Sequence, residues 1–226
     1  MVGRGGWKAE RMTTATGAKG RRARHGEEMR QDILQAARDI IAEQGAGALA
    51  MRGIARRMGY SAPALYEYFA GKEAIAGALF VAGFRQLAAT LARITAPDPL
   101  VRLHDLGLAY RAFAIAHPQD FSLMFSRPIP KFRPSSDDLA IARTAFAPFQ
   151  RAFEQGLAAG RIRPMTARDG ATMLWSFVHG LVALELAELG GPPPDADLPP
   201  GTAVPGQFPA LYEAALALFG DAIRAR

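Results

Sequence analysis

The chain has 226 residues, half of them apolar, and no cysteine. That leaves room for a sizeable core and excludes a disulfide framework or thiolate metal site. Its net charge of +6 is one-sided: residues 1–72 hold 13 Lys/Arg against 7 Asp/Glu, and the remainder holds 14 of each. A basic third on a neutral body is the footprint of a polyanion partner. No apolar run reads as long enough, at roughly 18 residues, to span a bilayer. The basic N-terminus lacks the apolar stretch of a secretory signal, so the expectation is a soluble cytoplasmic protein with no membrane contact.

Residues 1–25 are Gly-rich, with seven Lys/Arg and one acid, and read as a disordered arm. Arg21, Arg22 and Arg24 are placed to reach phosphates or a minor groove, with a solvated tail as the alternative. Residues 27–44 form a helix with Ile33, Ala37, Ile40 and Ile41 on one face, ended by Gly45 and Gly47. Residues 51–58 form a second helix, with Ile54, Ala55 and Met58 turned inward. Gly59 suits a tight turn with positive φ. Ser61 then caps a short helix that carries Tyr66 and Tyr68, with Leu65 and Phe69 toward the core.

A long helix follows over 72–95 and is broken by Pro97 and Pro99. The next covers 99–117, and Pro118 opens a short helix to Phe125. Pro128, Pro130 and Pro134 mark a loop. Ser135 caps a helix over 137–159, kinked at Pro148 and ended by Gly160. Thr166 to Asp169 resembles a capping box at the head of a helix to Leu189. Residues 190–205 are a Pro/Gly-rich loop, and 206–224 form the last helix. No window alternates like a strand. Nine helices give an all-α fold, with a three-helix helix-turn-helix domain over 26–72 and a larger helical domain over 73–226.

Residues 51–72 carry the functional signal. A short helix, a glycine turn and a second short helix form a helix-turn-helix, a motif that places its second helix in the DNA major groove. Its outward face holds Ala62, Pro63, Ala64, Tyr66, Glu67 and Tyr68. Tyrosine hydroxyls there can bond phosphates while the rings lie along the sugar edge; surface packing is the alternative. Lys72 adds a cation at the start of the following helix.

The run from Arg30 to about Phe80, with Ile54-Ala55, Gly59, Ser61, Leu65-Tyr66, Tyr68-Phe69 and Lys72-Glu73, resembles the tetracycline-repressor (TetR) family. The resemblance implies that Tyr66, Tyr68 and Lys72 contact phosphates, and that Arg52, Ala62, Pro63 and Ala64 approach base edges. With Ser61 these are the expected DNA-binding residues. Two positions depart from the family pattern: Ala50 stands where a capping Thr or Ser is usual, and Tyr68 where His is common. Ala62 and Ala64 offer only methyl contacts, leaving Arg52 as the candidate for guanine.

In the C-terminal part, Phe146, Phe149 and Phe153 share one helical face, as do Trp175 and His179. A ligand cavity lined by Phe121, Met124, Phe125, Phe149, Phe153 and Trp175, with His179 as polar anchor, is one reading. An ordinary aromatic core with a hydrogen-bonded histidine is the other. The His117-Pro-x-x-Phe121 and Trp175-x-x-x-His179-Gly segments resemble the family's C-terminal domain called WHG. The family's dimer interface implies a homodimer through 166–189 and 206–224, with Leu211, Ala214, Ala215, Leu218 and Phe219 as the apolar stripe.

Catalytic motifs are missing. Gly45-Ala-Gly47-Ala-Leu-Ala50 matches a dinucleotide fingerprint formally but follows a helix. His25, His104, His117 and His179 lack metal-ligand spacing, so no enzyme activity, cofactor or metal is expected. The expectation is a repressor that binds a pseudo-palindromic operator in double-stranded DNA and is released by a small apolar effector. The alternative is a constitutive DNA-binding protein with a filled core.

Overall fold

The computed structural model describes residues 7–126, 129–189 and 208–225, with side chains described from residue 23 and up to 187 in the helix that ends at 189. The helices are α1 (Trp7–Gln44), α2 (Met51–Met58), α3 (Ala62–Tyr66), α4 (Lys72–Ala92) and α5 (Pro99–Ala116). They continue as α6 (Pro118–Phe125), α7 (Ser136–Thr144), α8 (Ala147–Ala158), α9 (Ala167–Leu189) and α10 (Phe208–Ile223). Among the described residues no strand forms, and one antiparallel bridge joins Ile162 to Arg224. The all-α expectation holds. Pro128, the loop over 190–205 and the side chains of Arg21 and Arg22 lie outside the described residues.

Three expectations about the elements need correction. Helix α1 begins at Trp7, so residues 7–25 are helical and not an arm. The reason is intrinsic propensity: Lys, Glu, Arg, Met and Ala dominate this stretch, and a helix nucleated elsewhere propagates through such residues at little cost. Among the described side chains of α1 the first buried one is Met29. Next, the single kinked helix over 137–159 is two helices, α7 and α8, which makes ten α-helices among the described residues instead of nine. Pro148 occupies the second position of α8, where its missing N–H costs nothing, so the chain restarts a helix there. Finally, α4 and residues 167–187 of α9 are long and apolar enough, by length and composition alone, to cross a membrane. Core helices of a folded domain carry the same signature, and 44% and 33% of the respective windows are buried.

The caps follow local chemistry. Gly45 takes φ 80° beyond α1. Asp98, unremarked in the sequence, caps α5 by accepting from the backbone N–H groups of Leu100 at 2.8 Å and Val101 at 3.3 Å. Those two bonds, with Arg161 at 2.9 Å, hold its carboxyl below the usual aspartate value. The predicted cap at Ser135 is a full capping box with Asp138. Thr166 Oγ1 accepts from the Asp169 N–H at 3.0 Å.

Two compact units divide the chain, and the boundary falls inside α4, between Leu79 and Phe80. The first contains α1 to α3 and the start of α4, together with Ile129 and Phe132 from the loop after α6. The expected domain limit at 72/73 is therefore seven residues early: Ile75, Ala76 and Leu79 are buried residues of the first unit. In that unit Ile33, Ala37, Ile54, Leu65 and Phe69 are all within 3% of full burial.

The second unit is built around Tyr110, Phe149, Phe153, Val178, Val182 and Tyr212, each nearly or wholly inaccessible. Glycine permits two of its close approaches. A Cβ on Gly83 of α4 would lie 2.7 Å from Met124 Sδ, and one on Gly170 of α9 2.4 Å from Phe153. A polar tie crosses this core: Arg111 of α5 forms a bidentate pair with Glu185 of α9, a carboxylate only 5% exposed. The Arg111 guanidinium also lies 5.6 Å over the Tyr212 ring.

Candidate nucleic-acid interface and ligand cavity

Helix α2 ends at Gly59, which adopts φ 73° and donates back to the carbonyls of Ala55 and Arg56. That left-handed residue turns the chain into α3, with Tyr60 N–H bonded to Ala55 O at 2.9 Å. Ala50 occupies the cap position of α2 with extended backbone and supplies no side-chain bond. Replacing Ala50 with Thr is expected to raise the stability of the first unit by about 1 kcal/mol. Chemical denaturation followed by circular dichroism measures it, and an unchanged midpoint would count against the missing cap.

The recognition helix is shorter than the sequence suggests. It closes at Tyr66, so Tyr68 sits in the turn beyond it, where its N–H and that of Phe69 both bond Leu65 O. Arg30 of α1 fixes this turn. Its guanidinium donates to the Tyr68 carbonyl and lies 4.2 Å over the Phe69 ring. The sequence marked Arg30 only as the start of a resemblance.

Exposure sorts the expected DNA-binding residues. Arg52, Ser61, Pro63 and Tyr66 are exposed; Ala62, Ala64, Tyr68 and Lys72 are half-buried. Leu65 and Phe69 are buried as expected, whereas Met58 is only half-buried. Ser61 holds the cap position of α3 but its hydroxyl makes no cap bond, so that hydroxyl remains available outward. Of the three arginines on α2, Arg57 is tied to α1 in an exposed pair: it bonds both Glu43 oxygens at 2.8 and 2.6 Å and lies 3.6 Å from Asp39. Its hydrogen bond holds the Glu43 carboxyl below the usual value. Arg52 and Arg56, one turn apart and exposed, have no ion-pair partner among the described residues. Arg56 and the exposed Tyr60 of the turn are surface groups the sequence reading missed. Their four-residue spacing pointed to Arg56; for Tyr60 only the turn itself gave a signal.

In the second unit the aromatic residues expected to line one cavity are divided. A cavity of about 600 Å³ is lined by Phe121 and Phe125 of α6 and His179 of α9, among others. A second, of about 480 Å³, is lined by Arg143, Phe146, Arg168 and Trp175 among others. Met124, Phe149 and Phe153 line neither and are buried. Met124 is taken up against Gly83 and Phe153 against Gly170, so their bulk fills core, not cavity wall. His179 is half-buried and stacks on Phe121 at 5.3 Å. Burial pushes its pKa down, favouring the neutral ring. Its Nδ1 is 2.8 Å from the Tyr110 hydroxyl, which receives the Trp175 indole N–H at 3.4 Å. His179 is thus hydrogen-bonded to Tyr110 and also lines a cavity.

These features make up a helix-turn-helix, a motif of DNA-binding proteins. Residues 33–79 match the family of bacterial regulatory proteins described as the tetR family, and residues 103–198 match the tetracyclin repressor-like C-terminal domain. The chain belongs to the TetR family. It is 27% identical over 149 residues to the HTH-type transcriptional regulator Mb1846 of Mycobacterium bovis. That match spans 64% of this chain and 64% of the curated relative, just under two thirds of its length. The crystal structure of SCO4313, a protein described as regulatory, is 32% identical, with 87% of this chain and 97% of that one covered and a TM-score of 0.71. A protein of unknown function from Rhodococcus sp. RHA1 is 25% identical, with 86% and 94% covered and a TM-score of 0.70.

Proposed function

We propose that the chain is a homodimeric cytoplasmic repressor that binds a pseudo-palindromic operator and leaves it when a small apolar molecule fills the cavity beside His179. The observation that carries the DNA reading is the surface of the helix-turn-helix. Arg52 and Arg56 are exposed and unpaired among the described residues, while Arg57 beside them is tied to α1. With Tyr66 and the uncapped Ser61 hydroxyl they offer phosphate and base donors on one exposed motif. Selecting bound oligonucleotides from a random pool tests this. Recovery of an inverted repeat with half-sites about one helical turn apart supports the reading, and recovery of unrelated sequences sinks it.

Lys72 and the two tyrosines serve in this reading as phosphate contacts. Lys72→Ala should weaken cognate and random duplexes alike and lower the salt slope of binding by about one. A slope unchanged between 50 and 200 mM salt would remove Lys72 from the interface.

The dimer reading rests on an apolar face left exposed among the described residues. Met173, Phe177 and Leu184 of α9 and Leu211 and Leu218 of α10 are all exposed, between 36% and 69%. Phe177 stacks on Phe219 at 5.8 Å, joining the two helices' outer faces. Opposite sides of the same helices bury Leu174, Val178, Val182, Tyr212 and Leu216. A second copy meeting this face through a two-fold axis would bury both stripes.

A constitutive DNA-binding protein remains the second reading, favoured by the core placement of Met124, Phe149 and Phe153. A thermal-shift screen of apolar molecules followed by a mobility-shift assay separates the two. Stabilising compounds that also release DNA support the repressor, and their absence supports the constitutive protein.

A further inference from the structure

The cavity over α6 and α9 has a lining of unusual electrical character. Among the described residues no Lys, Arg, Asp or Glu lines it. Its polar side chains are Gln119, Ser122, Ser126 and His179, all uncharged when the imidazole is neutral, and all able to donate a hydrogen bond. The nearby Arg111 and Glu185 neutralise each other in a bidentate pair. An ionised ligand resting in this half-open cavity would give up part of its hydration without meeting an opposite charge among the described lining residues.

His179 is oriented by a chain of hydrogen bonds. Indole is a donor only, so Trp175 Nε1–H must donate to the Tyr110 oxygen. Tyr110 is fully buried, and its own hydroxyl hydrogen then needs an acceptor. Among the described residues His179 Nδ1, at 2.8 Å, is the acceptor in reach. Were Nδ1 protonated, a buried hydroxyl hydrogen would be left unmatched, at a cost larger than the bond itself contributes. The neutral ring therefore carries its proton on Nε2. The other faces of the ring meet Phe121 at 5.3 Å and Phe125 at 4.7 Å, both of which line the cavity.

On the reading of this cavity as the effector site, we infer that it takes an uncharged, largely apolar ring compound bearing one hydrogen-bond acceptor, such as a ketone, ester or lactone carbonyl, which receives the Nε2–H of His179. The Phe121 and Phe125 rings hold the apolar body, and the Trp175–Tyr110–His179 chain keeps the imidazole a donor. Among the described lining residues no cation stands to receive a carboxylate or a phosphate. The second cavity, with Arg143 and Arg168, has the opposite character.

Three probes of one shape test the inference on the full-length protein by calorimetry: 2-acetylnaphthalene, 2-isopropylnaphthalene and 2-naphthoate. The ketone should bind about ten-fold more tightly than the hydrocarbon, as one buried hydrogen bond supplies, and the carboxylate should bind weakest. In His179→Phe the ketone and hydrocarbon should come within two-fold of each other. His179→Gln, which keeps a donor, should restore part of the preference and guards against a misfolded Phe variant. Long-range proton–nitrogen correlation spectra of the free protein should show His179 protonated on Nε2, with the preference for that tautomer weakened in Tyr110→Phe. Wild-type binding of the three probes within two-fold, strongest binding of 2-naphthoate, or an Nδ1-protonated ring would overturn the acceptor inference and leave the effector reading standing. No binding by any of the three would remove the cavity as a ligand site and overturn both.

Discussion

Arg111→Ala should lower the stability of the protein by about 3 kcal/mol, the largest loss expected from a single polar substitution in this chain. Glu185 is 5% exposed and its two oxygens are both engaged by Arg111. Removing the guanidinium leaves a largely buried carboxylate with no other ion-pair partner among the described residues. It also removes the group lying over Tyr212, so α5 loses its ion pair to α9 and a ring contact to α10 together. For a chain of this size the loss corresponds to roughly 6 to 12 °C in melting temperature. Arg111→Met combined with Glu185→Leu should return most of the stability, because the pair is replaced by packing instead of being broken. A single variant that melts within 2 °C of the parent would show that Glu185 does not depend on Arg111.

Arg52→Ala should reduce affinity for the selected operator by about 10- to 100-fold while changing affinity for random duplex far less. The expectation follows from what else the recognition surface offers. Helix α3 has five residues, and the positions proposed to approach bases, Ala62, Pro63 and Ala64, provide methyl and ring carbons but no bidentate hydrogen bonds. Arg52 stands exposed in the first turn of α2 without an ion-pair partner among the described residues, and a guanidinium bidentate to guanine is worth about 1–3 kcal/mol of discrimination. Arg56→Ala, the neighbouring variant, should instead weaken both duplexes together, as a phosphate contact does. Anisotropy titrations against operator and scrambled duplexes at one salt concentration distinguish the two, and equal losses for Arg52→Ala would assign it to the backbone.

Local chemistry made much of this legible in the sequence. Gly59 could be read because a left-handed turn needs no more than one residue without a Cβ. Leu65 and Phe69 could be read because four-residue spacing already decides which side of a helix they share. Ser135 with Asp138 could be read because a capping box is complete within four residues. What was missed depends on residues far apart. Arg111 and Glu185 are 74 positions apart, and Tyr110 and His179 are 69 apart. No periodicity connects them, so a buried ion pair and the orientation of the candidate anchor emerged only with the fold. The pocket expectation failed in part for a related reason. Aromatic spacing shows that Phe149 and Phe153 share a face, but not that Gly170 lets α9 come close enough to fill the space over Phe153. Pro148 was noticed and given the wrong consequence: it opens a helix instead of bending one.

The exposed leucines of α9 and α10 bear on how such a regulator would count its own copies. Leu184 and Leu218 are 62% and 69% accessible in the lone chain, so an unassociated subunit carries a sticky face at a cost in free energy. In the dimer proposed here, folding and association become one equilibrium, and stability rises with concentration by mass action. Operator occupancy would then scale with roughly the square of subunit abundance when subunits are scarce. A cell holding a few copies and a cell holding a few hundred would differ in promoter state far more steeply than in protein number.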